Sequence, residues 1–93
     1  MAMKIAVFDT HVLRSDGRRM HFDILVQDEP ADRDMDKVLA HGRRYLDDKG
    51  VTAMSLTAHE CRFCHVEQAR PEVEQTIRER GFAILEMEGC GNP

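Results

Sequence analysis

Seven consecutive residues, His59-Glu60-Cys61-Arg62-Phe63-Cys64-His65, hold two of the three cysteines and two of the five histidines of the chain. Thiolate and imidazole are donors that suit Zn²⁺, and a Cys-x-x-Cys pair is also the unit of thiol redox chemistry. With Cys90 near the C-terminal end, Cys61, Cys64 and His65 make a candidate zinc set of three thiolates and one imidazole, with His59 as a substitute ligand. Two features weigh against it. Ligands on adjacent residues seldom reach one ion, and the second Cys-x-x-Cys of a zinc ribbon is missing. The plainer reading is that both cysteines are small buried hydrophobes. The letters Cys-x-x-Cys-His also spell a haem c attachment site, but attachment follows export, and no export signal precedes it.

The backbone under this window decides among these chemistries. A zinc knuckle needs a tight turn through the pair, and Arg62 and Phe63 do not favour one. Thr57-Ala58-His59-Glu60 instead fits the S/T-x-x-E capping box of a helix start. Cys61, Cys64, His65 and Gln68 then recur at i, i+3, i+4 and i+7, which predicts a helix over 58 to about 68, ending before Pro71. In that helix Cys61 is the fourth residue. The dipole that lowers a redox thiol's pKa fades within the first turn, so the thiol redox reading is the weaker alternative.

A second group with chemical potential lies upstream. Lys4–Leu13 and Arg18–Gln27 read as strands, the second alternating Met20, Phe22, Ile24 and Val26 with Arg19, His21 and Asp23. A three-residue loop, Ser15-Asp16-Gly17, with Gly17 in the left-handed position, pairs Phe8 with Ile24, Thr10 with Phe22 and Val12 with Met20 on one face. On the other face Asp9 then opposes Asp23 and His11 opposes His21. Two carboxylates and two imidazoles on one side of a hairpin are either a solvated sheet face or an acid–base or metal-ligating patch.

The remaining elements must position these groups. A helix is predicted over 34–49, with Met35, Val38, Leu39, Gly42 and Leu46 at helical spacing and Gly50 as its stop. Val51–Leu56 reads as a short strand. Pro71 suits the first turn of a further helix with inner residues Val73 and Ile77, ended by Gly81. Phe82–Met87 is apolar on both faces apart from Glu86 and reads as a strand near the middle of the sheet, followed by an irregular Gly- and Pro-containing tail. The expected fold is a single α+β domain over 1–93, with an ordered core from about 4 to 88. Its order is ββαβααβ, with a four-stranded mixed sheet and helices largely on one face.

Composition narrows the function. Apolar residues make up 42% and charged residues 32%, as in a globular chain. The net charge of −4 argues against nucleic-acid partners, and no apolar run is long enough to span a membrane. Without an export signal the cytoplasm is the expected compartment, where thiols stay reduced. The expected function is a non-catalytic binding or assembly module, whose partner is another protein or a second copy meeting it at Phe63 and Val66. No cofactor is expected, Zn²⁺ being the one alternative.

Phe8-Asp9-Thr10, Met20-His21-Phe22-Asp23, Glu60-Cys61-Arg62-Phe63-Cys64-His65 and Met87-Glu88-Gly89-Cys90 occur in that order. With these segments the chain resembles a family of short bacterial proteins known as a domain of unknown function. The likeness runs from about Lys4 to Cys90, and the Cys-x-Phe-Cys-His stretch is its most specific part. The resemblance implies a compact α+β domain in a bacterial cytosol, and it implies no activity, substrate or cofactor.

Overall fold

Alternation of inward and outward residues in the halves nearest the loop, Asp9–Leu13 and Arg19–Ile24, drives Lys4–Leu13 (β1) and Arg19–Gln27 (β2) into an antiparallel hairpin. The computed structural model, which describes residues 2–51 and 56–91, gives the register expected from the sequence: Phe8 opposite Ile24, Asp9 opposite Asp23, His11 opposite His21 and Val12 opposite Met20. Gly17, at φ 87°, closes the three-residue loop. The other elements are α1 (Met35–Lys49), β3 (Cys61–Gln68), α2 (Pro71–Arg80) and β4 (Ala83–Glu86). The α+β class and the four-stranded sheet agree with expectation. Residues 52–55, most of the short strand expected at Val51–Leu56, lie outside the described residues.

The sheet runs β3-β1-β2-β4, and all three pairings are antiparallel rather than mixed. The long hairpin strands take the centre because they carry apolar side chains on both faces at their base, in Ile5-Ala6-Val7-Phe8 and Ile24-Leu25-Val26. The phase of alternation assigns each helix its face. Asp34 caps α1, its carboxylate accepting from Lys37 N, and Val38, Leu39 and Leu46 pack on Ala6, Phe8, Phe22, Ile24 and Val26. From α2, Ile77 and Val73 pack on Ile5, Val7, Leu25 and Ala83, the opposite side of the same strands. The helices therefore cover both faces, a correction to the one-sided arrangement expected. Pro71 starts α2 and Gly81 ends it, as the sequence predicts.

Two further expectations are corrected. β4 is an edge strand, since its apolar residues serve different neighbours: Ala83 faces α2, Ile84 faces α1, and Leu85 is half exposed. The segment expected as a helix over 58–68 contains strand β3. Its capping box does form locally, with the Thr57 amide and hydroxyl both donating to Glu60 Oε1 at 2.8 Å and the Thr57 hydroxyl accepting from His59 N at 3.2 Å. Those bonds close a single turn. The backbone then pairs with β1, with Cys61 opposite Thr10 and Phe63 opposite Phe8.

Candidate functional site

Strand β3 separates the thiols and imidazole that the sequence groups together. Cys61 is fully buried in the core beneath α1. Cys64 is the extra residue of a bulge, since Phe8 pairs with Phe63 and Val7 with His65, and it is exposed. His65 is half exposed and contacts Glu67 Oε1 at 2.6 Å. Cys90 is buried in the α1 core, its thiol donating to the His21 carbonyl at 3.3 Å. Burial pushes the Cys61 thiol up, opposite to what a redox nucleophile needs. The four candidates Cys61, Cys64, His65 and Cys90 are not brought together.

The hairpin patch does converge. α2 covers the base of its face, over Ile5, Val7, Leu25 and Ala83; in the half beyond it Asp9 and His11 face solvent, His21 is partly covered and Asp23 is buried. Ring centroids of His11 and His21 lie 4.0 Å apart with planes 19° from parallel. His11 Nε2 is 3.3 Å from Asp9 Oδ2, and His21 Nε2 bonds Asp9 Oδ1. One carboxylate thus takes both imidazoles. Asp23 lies opposite Asp9, its Oδ1 3.8 Å from His21 Nε2. Its side chain is 9% exposed, and Oδ1 has no hydrogen-bond partner.

The segments just before β3 and just after β4 hold this row in place. The His11 amide donates to the Glu60 carbonyl at 2.9 Å. The His21 amide donates to the Glu88 carbonyl at 2.7 Å, and its carbonyl accepts from Met87 N and the Cys90 thiol. The tail is anchored in turn by the buried Arg14, whose Nη1 donates to the carbonyls of Gly89 and Gly91 at 2.7 Å each. The tail is irregular, as expected, and it serves as a strap that fixes His21. Nothing in its composition signals this, because the acceptors are backbone carbonyls and the donor is 75 residues away.

Two facing carboxylates cannot ionise equally well, and their environments split them. Burial acts to raise Asp9, but its bonds to His21, Asp23 and His11 and the His21 charge outweigh it and hold the carboxyl low. Asp23 is pushed up to about 6, first by burial and then by the bond to Asp9 and its charge, with the His21 and His65 charges pulling against them. Asp9, His11 and His21 each present a ligand atom, all within 4.8 Å of one another. Beside them is a half-open depression of about 390 Å³ lined by Asp9, His11, His59, Glu60 and Arg62. A larger cavity of about 530 Å³ lies between α1, α2 and β4, lined by Tyr45, Lys49, Arg80 and Glu86 among others, with no imidazole or thiol. Among the described residues the imidazole–carboxylate cluster lies on the sheet face beyond α2, away from this cavity.

Comparison with curated proteins finds no match. Among solved structures the chain is similar to protein NE1680 from Nitrosomonas europaea, a structural genomics target determined by NMR. The two share 40% sequence identity and superpose with a TM-score of 0.82, over 96% of this chain and 100% of that one. Residues 3–87 match the family described as a domain of unknown function (DUF2024), and the chain belongs to that family.

Proposed function

We propose that the protein is a non-catalytic binding or assembly module whose binding surface is the open half of the sheet face carrying Asp9, His11, His21 and Asp23. Asp23 carries this reading. A carboxylate nine-tenths buried whose Oδ1 accepts no hydrogen bond, with His21 Nε2 at 3.8 Å, costs a fold stability, about 1–3 kcal/mol for one unmade bond and more when the group is charged. Such costs are retained where a ligand later satisfies the group. Exposed Leu13 and Leu85 share this face by alternation and give the charged centre an apolar rim. A cytosolic setting is in keeping with the three free thiols, and no helix among the described residues is long and apolar enough to cross a membrane.

The test needs no ligand. Asp23→Asn keeps the side chain's shape, removes the buried charge and offers an amide N–H to Asp9. In urea at neutral pH, the metal-free variant is expected to unfold at the same midpoint as the parent chain or a higher one. A loss of more than about 1 kcal/mol would mean that Asp23 helps to hold the hairpin, and the binding reading would fall.

A further inference from the structure

We infer that Asp9, His11, His21 and Asp23 form a site for a divalent transition-metal ion, of the class that includes Zn²⁺, Co²⁺ and Mn²⁺. The inference rests on reading this face as the binding surface and names its ligand. Two imidazoles and two carboxylates are the nitrogen and oxygen donors that such ions accept, and two carboxylates balance a charge of +2. In a tetrahedral site with bonds of about 2.0–2.1 Å, neighbouring donors stand roughly 3.3 Å apart. His11 Nε2 and Asp9 Oδ2 are 3.3 Å apart, and His21 Nε2 and Asp23 Oδ1 are 3.8 Å apart. The stacked His11 and His21 rings, 19° from parallel, splay on binding so that both Nε2 lone pairs meet one ion, while the paired strands keep their backbones in place.

The orphan oxygen is the second, independent observation. Asp23 Oδ1 is buried beside His21 and accepts no hydrogen bond, so it is an unused donor at the edge of the three-residue cluster. In the ion-free site Asp9 accepts from both imidazoles. An ion would displace those protons and take the same lone pairs, as metal binding to histidine does generally. The His11 side chain is 59% exposed, which leaves the ion open to solvent on one side. Arg62, opposite Asp9 on β3, is a cation that opposes binding. The thiols are elsewhere, so the site is one of nitrogen and oxygen donors alone.

The experiment is a titration of the chelator-stripped full chain with Zn²⁺ by calorimetry and with Co²⁺ by visible absorption. Expected are one ion per chain, a Co²⁺ spectrum without a thiolate charge-transfer band, and unchanged binding in Cys64→Ser. His11→Ala and Asp9→Asn, both at partly exposed positions with folding checked by circular dichroism, should each weaken binding by roughly tenfold or more. No binding, a smaller loss in both variants, a thiolate band, or loss of binding in Cys64→Ser overturns the inference. Failure here with Asp23→Asn still not destabilised removes the metal and leaves the binding face. Destabilisation by Asp23→Asn removes the face itself.

Discussion

His11 and His21 stack across the β1–β2 pair at 4.0 Å, with the Nε2 of each directed at the one carboxylate of Asp9. Their meeting follows from register, and register follows from the loop. A one-residue slip would move every side chain to the other face and bury the imidazoles under α1.

The loop is therefore the first place to perturb. Gly17 sits at φ 87° with open space where a Cβ would stand, so Gly17→Ala meets no clash and bears only the conformational cost of the left-handed region. A loss of about 1 kcal/mol in urea unfolding is expected, with the His11–His21 contact retained in NMR spectra. An unchanged midpoint would mean that the loop relaxes to another turn.

Gly89 is a different case. At φ 68° its added Cβ would lie 1.9 Å from the Arg19 carbonyl oxygen, a backbone atom that cannot step aside. Gly89→Ala should cost about 2 kcal/mol or more and free the tail from Arg14. Amide exchange at His21, whose N–H is bonded to Glu88, should then speed up. Protection of the His21 amide as in the parent chain would contradict the strap.

The cysteines should behave as three different thiols. Cys64, exposed at its bulge, is expected to react with an aromatic disulfide reagent in the native protein, while the buried Cys61 and Cys90 react only on unfolding. Rapid reaction of Cys61 together with Cys64, leaving a disulfide between them, would restore the redox reading.

The hairpin was legible in the sequence because its signals are local. Period-two alternation from Met20 to Val26 and a glycine at the one position that needs it are enough to fix the register and hence the His/Asp row. Strand β3 was not legible, for two physical reasons. Thr57 and Glu60 make the bonds of a capping box and spend them on one turn. The bulge at Cys64 then breaks the alternation, and an edge strand buries so little that only Cys61 is in the core. The second helical layer did have a signal. Ile5-Ala6-Val7-Phe8 and Ile24-Leu25-Val26 are apolar on both faces, which calls for cover on both sides of the sheet. Convergence of Asp9, His11 and His21 was readable as a row, but the burial of Asp23 depends on tertiary packing.

At the end of β4, Glu86 gives a pH-dependent contribution of ordinary sign. The bond from Lys49, 2.8 Å away, and the bond from the Tyr45 hydroxyl hold its carboxyl below the usual 4.5, with burial opposing. A depressed carboxyl contributes stability above its unfolded value and loses it as pH falls through the folded one. Since the side chain is 45% exposed, screening limits the effect, and Glu86→Gln should cost about 0.5 kcal/mol at neutral pH. The difference between parent and variant should shrink as pH drops below about 4.5. A difference that stays constant to strongly acid pH would assign it to the shape of the side chain instead of its charge.

The central claim is that Asp23 is a buried carboxyl held beside His21 and Asp9 for a ligand that reaches the open face. The most direct measurement follows the Asp23 carboxyl carbon by NMR across a pH titration of the metal-free protein. The expected midpoint is about 6, raised by burial and by the neighbouring Asp9 charge. A midpoint near the ordinary aspartate value of about 3.9 would place Asp23 in water and contradict the claim.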